Sequence, residues 1–123
     1  MSYLNNRILS FRNAFRGIAT LFRETPNAML QIALAIAAIL LGLLFHISKT
    51  EWLVLVLAIG GVLSLEAINS ALENLSDYAS NKELHPIIKK AKDLSAAAVL
   101  ITAIAALAIG LIIFLPGIIA LFS

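Results

Sequence analysis

The sequence predicts an all-α membrane protein in which an amphipathic surface helix precedes three transmembrane helices. Apolar residues make up 61% of the 123 residues, whereas soluble domains are about half apolar. Three apolar runs are each long enough to cross a bilayer as a helix, and short polar turns separate them. We therefore expect one membrane-embedded domain over residues 1–123. The chain has no cysteine, which excludes disulfides and thiolate-bound metals.

The first predicted element is a surface helix over residues 4–24. Its apolar positions recur at helical spacing and are rich in phenylalanine; they are Leu4, Ile8, Phe11, Phe15, Ile18 and Phe22. Arginines border this face, a pattern typical of helices at the membrane–water boundary, although packing against protein is the alternative. Thr25-Pro26-Asn27 ends the helix, because proline restricts the residue before it and is tolerated at a helix start.

The three spans are predicted at about residues 28–45, 52–72 and 94–115. Residues 46–51 form a short turn before Trp52, and Pro116-Gly117 is expected to end the last helix. Gly60-Gly61 and the many alanines of the third span permit close helix approach. No turn signal separates the second span from the polar segment after it, so that helix should continue to about Ser80.

A polar stripe begins inside the second span. Glu66, Asn69, Glu73 and Asp77 lie at i, i+3, i+7 and i+11, which places them within about 80° of one helix face. An ionised group in mid-bilayer costs about 3 kcal/mol even on the mildest scale. The stripe therefore needs a divalent cation or a protein cavity as its partner. Three spans are too few to enclose it, so we expect a homo-oligomer.

The stripe predicts chemistry in two layers. Glu73 and Asp77, near water, are suitable Mg²⁺ ligands, because this ion binds oxygen and often takes one or two carboxylates plus phosphate oxygens. Lys92 and Asp93 open the next helix and supply a phosphate-binding cation and an acceptor. Glu66 lies deeper, where it can act as a general base for a hydroxyl presented from the lipid. Hydrogen bonding between helices is the alternative role for each residue.

The orientation of the chain is predicted from lysine and arginine. Eight of the nine basic residues precede the first span or lie between the second and third: Arg7, Arg12, Arg16, Arg23, Lys82, Lys89, Lys90 and Lys92. Only Lys49 lies on the other side. The positive-inside rule then places the amino terminus and the polar end of the stripe on the cytoplasmic side of the membrane.

Two motifs resemble those of the small bacterial integral-membrane diacylglycerol kinases and undecaprenol kinases. They are Glu66-Ala-Ile-Asn69-Ser70-Ala71-Leu-Glu73 and Ala91-Lys92-Asp93-Leu-Ser-Ala-Ala98-Val99. The segments Ala14-Phe15-Arg16-Gly17-Ile18 and His85-Pro86 are similar too. The resemblance covers about residues 12–116, which is nearly the whole chain.

The resemblance implies a homotrimer with composite active sites that transfers the γ-phosphoryl group of MgATP to a lipid hydroxyl. It implies that Glu66 is the general base, with Asn69 beside it, and that Glu73 binds the metal. The expected nucleotide-binding residues are Arg7, Asp77, Glu83, His85, Lys92 and Asp93. The expected lipid contacts are Asn27, Ala96 and Glu66. No nucleic-acid partner is expected.

The chain departs from the family pattern near the first span. Thr25 occupies the position of a second metal-binding glutamate, and Glu24 lies one residue earlier. Met29 stands in place of a basic residue, Gln31 in place of a histidine or glutamate, and Asn13 in place of an aromatic one. We hypothesise that Glu24 replaces the missing metal ligand.

The first interpretation of the resemblance is a diacylglycerol kinase that produces phosphatidic acid. Undecaprenol kinase is the first alternative, because both lipids present a primary hydroxyl at the interface. An inactive scaffold of the same fold and an ion conduit built from acidic helices are further alternatives. A conduit would need acidic residues across the whole bilayer, and the first span has none.

Overall fold

The computed structural model describes residues 2–123 as four α-helices. They are α1 (Tyr3–Glu24), α2 (Pro26–Leu44), α3 (Lys49–Ser80) and α4 (Pro86–Leu121). Residues 2–123 contain no strand, and three of the helices, α2 to α4, are long and apolar enough to cross a membrane. These findings confirm the prediction of an all-α, multi-pass membrane protein. Helix α3 ends at Ser80, as the uninterrupted apolar-to-polar segment predicted.

Helices α1 and α2 meet at a single non-helical residue. Thr25 has extended backbone angles, φ −122° and ψ 101°, and serves both as the C-cap of α1 and as the N-cap of α2. Pro26 imposes this geometry on the residue before it and then starts α2 without needing a backbone N–H. Leu21 and Ala28 are buried on either side of the junction. We call residues 24–27 the elbow.

Helix α3 begins at Lys49, three residues earlier than the predicted span. The Ser48 hydroxyl accepts a hydrogen bond from the Glu51 backbone N–H at 3.2 Å, and the Glu51 carboxylate accepts one from the Ser48 N–H at 3.0 Å. This reciprocal capping box satisfies two N–H groups that the first turn of a helix leaves free. The turn predicted over residues 46–51 is therefore shorter, and His46 makes it with a positive φ of 52°.

Helix α4 continues through Pro116 to Leu121, so the prediction that Pro116-Gly117 ends it is wrong. Membrane helices tolerate proline because neighbouring groups and local adjustments satisfy the backbone groups it frees. Packing holds the last turns in place. A Cβ built on Gly117 would lie 3.2 Å from Cδ1 of Phe45, and the Phe45 and Phe114 rings lie 6.4 Å apart.

Trp52, at the start of α3, packs against Gly42, near the end of α2, across the turn that joins the two helices. A Cβ built on Gly42 would lie 2.7 Å from Cη2 of Trp52, so the indole ring occupies the space of the missing side chain. We call the region formed by Gly42, Phe45, Trp52, Phe114 and Gly117 the closed end.

An apolar cavity of about 440 Å³ lies between α2, α3 and α4. Its walls are built from the aliphatic and small residues that the three spans contribute. Gln31, on α2, is the single polar side chain among the described residues that line it.

Candidate active site

A polar cavity of about 430 Å³ lies where the elbow meets α3. The elbow contributes Glu24, Thr25, Pro26 and Asn27, and α3 contributes Glu66, Asn69, Ser70, Glu73 and Asn74. The structure therefore brings together the predicted catalytic, metal and lipid residues Glu66, Asn69, Glu73, Glu24 and Asn27. The bend at Thr25 makes this possible, because it turns the end of α1 towards the polar stripe of α3.

Glu66 is the buried centre of this site, with 2% of its surface exposed. Its Oε2 accepts a hydrogen bond from Nε2 of Gln31 at 3.3 Å. Two neutral acceptor oxygens, Oε1 of Gln31 and Oδ1 of Asn69, are buried and find no hydrogen-bond partner within residues 2–123. Because nearly all buried polar atoms are paired, this acceptor-rich region is suited to a ligand that donates a hydrogen bond, such as a hydroxyl group.

The rim of the cavity carries the accessible charges. Glu24 and Glu73 are both exposed, and both line the cavity. Thr25 does not supply a charge; its Oγ1 lies 3.4 Å from Oγ of Ser70, which ties the elbow to α3. Residues 2–123 contain no group of three acidic, histidine or cysteine side chains close enough to hold a metal ion by themselves.

A separate charged pair joins α3 to the polar first turns of α4, which precede the predicted third span. Nζ of Lys92 donates a hydrogen bond to Oδ1 of Asp77 at 2.8 Å. This hydrogen bond raises the pKa of Lys92 above its ordinary value; partial burial opposes the rise, and the negative charges of Asp77 and Glu73 add to it. Asp93 pairs instead with Lys89 on its own helix, at 2.6 Å.

The other predicted ligand-binding residues lie away from the polar cavity. The Arg7 guanidinium lies 5.2 Å from the centre of the Tyr3 ring, and Nδ1 of His85 caps α4 by accepting a hydrogen bond from the Ile87 N–H. Glu83 and Ala96 are exposed. Neither Ala96 nor any of the six predicted nucleotide-binding residues lines the cavity of its own chain.

The comparisons with known proteins identify the family. The sequence pattern of the family described as prokaryotic diacylglycerol kinase matches residues 12–114. The chain belongs to this family. It is therefore an ATP-dependent lipid kinase, as the motifs predicted.

Two curated relatives support the assignment. An undecaprenol kinase of Bacillus subtilis is 42% identical over 113 residues, which cover 92% of this chain and 91% of the relative. A diacylglycerol kinase of Synechocystis is 34% identical over 116 residues, which cover 94% of this chain and 66% of the relative. No solved structure matches the chain.

The structure adds three residues to the site that the sequence did not single out. Ser70 and Asn74 line the polar cavity, and Gln31 contacts Glu66. Ser70 and Asn74 lie at i+4 and i+8 from Glu66, so a polar stripe drawn with those spacings would have included them. Gln31 drew attention only as a departure from the family pattern, because its contact with Glu66 depends on how α2 is rotated against α3.

Proposed function

We propose that this kinase phosphorylates a polyprenol, undecaprenol in particular, with MgATP as the phosphoryl donor. The observation that carries the proposal is the 42% identity to an undecaprenol kinase along nearly the full length of both chains. The diacylglycerol kinase relative is less similar, and the chain spans only 66% of it. Diacylglycerol, the acceptor of the first interpretation, therefore becomes the second candidate.

The arrangement of the two cavities supports a lipid acceptor of this kind. The apolar cavity reaches Gln31, and Gln31 contacts Glu66 in the polar cavity. A polyprenol is a hydrocarbon chain that ends in one primary hydroxyl. The part of its chain next to the hydroxyl can occupy the apolar cavity, while the hydroxyl enters the acceptor-rich region beside Glu66 and Asn69, next to Asn27.

In the proposed reaction Glu66 is the general base. The lipid hydroxyl gives its proton to the Glu66 carboxylate, and its oxygen attacks the γ-phosphorus of ATP. The new oxygen–phosphorus bond forms as the bond from the γ-phosphorus to the bridging β,γ-oxygen breaks, and ADP leaves with that oxygen. Asn69, beside Glu66, holds the hydroxyl in line with the departing oxygen. Phosphoryl transfer depends mainly on positioning and on electrostatic stabilisation.

The rim residues fit a magnesium ion. The described side chains that line the cavity offer oxygen atoms, and no histidine or cysteine, as metal ligands. Glu24 and Glu73 are its two exposed carboxylates. Mg²⁺ is often held by one or two carboxylates together with substrate phosphates, so the lack of a three-acid cluster in residues 2–123 agrees with this ion. When bound, Mg²⁺ neutralises charge on the phosphate oxygens. We assign Glu73 and Glu24 to hold it.

The nucleotide-binding residues are proposed to serve the cavity of a neighbouring subunit. Lys92, Asp93, Asp77, Glu83, His85 and Arg7 do not line the cavity of their own chain, and neither does Ala96, proposed as a lipid contact. A homotrimer with shared sites accounts for both facts. Mixing Glu66→Gln subunits with Lys92→Ala subunits tests it at an ATP concentration well below the KM of the Lys92→Ala variant. Mixed trimers should then be more active than either variant alone, and no gain at any ratio would contradict sharing. Cross-linking in bilayers should show trimers.

The proposed location is the plasma membrane of a bacterium, with residues 1–123 as one membrane-embedded domain. The distribution of basic residues supports a cytoplasmic amino terminus and a cytoplasmic polar cavity. In this arrangement α1 lies along the membrane surface with its phenylalanine-rich face in the lipid, which agrees with the exposure of Phe11 and Phe15, 66% and 68%, in the single chain.

The test of the proposed function is a side-by-side kinase assay. The protein in lipid vesicles is given labelled ATP with undecaprenol or with diacylglycerol, and kcat/KM is measured for each. A higher kcat/KM for undecaprenol is expected. A preference for diacylglycerol would reverse the assignment in favour of the second candidate, and phosphorylation of neither lipid would point to a scaffold or an ion conduit.

A further inference from the structure

Gln31 occupies the boundary between the two cavities. Its side chain is the single polar one among the described residues lining the apolar cavity, and its Nε2 lies 3.3 Å from Oε2 of Glu66. Its Oε1 is buried and has no partner within residues 2–123. A buried amide costs free energy unless its polar atoms are hydrogen-bonded. In residues 2–123 the nitrogen of the Gln31 amide has a partner and the oxygen does not.

The single hydrogen bond has a direct consequence for the carboxylate. A Glu side chain has three rotatable bonds, and Glu66 lies beside a cavity of about 430 Å³ into which it could move. Gln31 holds Oε2 from the α2 side. The carboxylate is then fixed at one oxygen, while Oε1 remains to accept a proton. Catalytic groups need this kind of support, because small displacements of a reacting group reduce the rate strongly.

We infer that Gln31 is a positioning residue for the phosphoryl transfer: its amide N–H holds one oxygen of Glu66 so that the other receives the proton of the lipid hydroxyl. This inference rests on the proposed role of Glu66 as general base. Gln31 itself takes no proton and touches no phosphate. It also marks where the apolar chain of the acceptor gives way to the reacting hydroxyl.

The first test removes the amide while keeping the size of the side chain. Gln31→Met should lower kcat about 10- to 100-fold, the range expected when a reacting group is misplaced by about an ångström. The KM for MgATP should stay within about twofold, because the metal-binding carboxylates are untouched. Gln31→Leu also lacks the amide and should lower kcat to the same extent. Equal losses from two side chains of different shape point to the lost hydrogen bond and not to a folding defect. Gln31→His retains an N–H donor and should recover most of the loss.

The matched control is the residue that precedes Gln31 on α2. Leu30 is exposed and lines neither cavity, so Leu30→Ala should leave kcat and both KM values within about twofold of the parent. If Gln31→Met and Gln31→Leu keep the parental kcat, the inference is overturned.

A double-mutant cycle distinguishes positioning from packing. In Glu66→Asp the shorter carboxylate no longer reaches Gln31, so adding Gln31→Met should cost less than about twofold further. Additive losses would show that Gln31 acts on helix packing and not through Glu66. The control for the proposed function is separate: if Glu66→Gln itself turns over normally, Glu66 is not the base, and the failure lies there.

Discussion

The two ends of the helical bundle differ in how their polar and apolar groups are satisfied. At the closed end, aromatic rings lie directly on Gly42 and Gly117, and the capping box at Ser48 pairs the backbone groups of the helix start. At the other end the carboxylate of Glu66 is buried, and beside it the side-chain oxygens of Gln31 and Asn69 are buried without partners in residues 2–123. Within residues 2–123, both buried side-chain atoms that lack a partner lie at the end of the proposed active site. The aromatic–glycine packing and the proposed active site therefore lie at opposite ends of the same helices.

The largest expected effect is at the buried carboxylate. Glu66→Gln keeps the size of the side chain and removes the proton acceptor, so kcat should fall by about 10²–10⁴, the usual contribution of a positioned base. MgATP affinity, measured by equilibrium binding, should change little, because Glu73 and Glu24 at the rim are intact. Normal turnover of the variant would mean that Glu66 is a structural hydrogen-bonding residue.

A substitution at the closed end should lower the stability of the fold and leave the catalytic rate unchanged. Gly42→Leu would place a side chain where the Trp52 ring lies and should destabilise the fold by about 1–3 kcal/mol, as overpacking typically does. We expect a lower midpoint of thermal inactivation, while kcat of the protein that remains folded should be parental. Gly60→Ala is the matched control, because a Cβ there meets nothing within 4 Å. A specific loss of kcat in folded Gly42→Leu would contradict the division between the ends.

The charged pair beside the polar cavity should affect nucleotide use alone. Lys92→Ala should raise the KM for ATP about tenfold, the effect of losing one charge-assisted hydrogen bond to a phosphate. The KM for the lipid should not move. Lys90→Ala, an exposed lysine on the same turns of α4, is the control. If the lipid preference changed as much as the ATP requirement, Lys92 would contact the lipid head and not the phosphates.

The smallest expected effect is at the rim of the polar cavity. Glu24→Ala should raise the Mg²⁺ concentration needed for half-maximal activity by several-fold, about the effect of losing one weak ionic contact. Glu24→Thr combined with Thr25→Glu restores the order of the family and should retain activity at low Mg²⁺. If Glu24→Ala matches the parent across the Mg²⁺ titration, Glu73 and the ATP phosphates hold the metal without it.

The sequence was sufficient for the helices and for one face of the site. Hydropathy located α2 to α4, and the spacing of Glu66, Asn69 and Glu73 identified the wall that α3 contributes. The bend at Thr25-Pro26 was readable because proline acts locally. The continuation of α4 through Pro116 could not be predicted from the sequence, because it depends on contact with Phe45. The contact between Gln31 and Glu66 was not readable either, because it depends on the rotation of two helices distant in sequence. The residues proposed to serve a neighbouring subunit act across an interface that the pattern of one chain does not encode.

The junction at Thr25 has a mechanical consequence. With one non-helical residue between α1 and α2, the pivot has few free backbone torsions, because Pro26 fixes its own φ. The two helices can therefore move relative to each other mainly by a change in the angle at Thr25. If α1 floats on the bilayer surface while α2 crosses it, a change in membrane thickness or curvature alters the angle between the helices. Because Glu24 ends α1 and Glu73 lies on α3, a change in that angle would shift Glu24 relative to Glu73. The physical state of the lipid would then reach the proposed metal-binding rim without any signalling ligand.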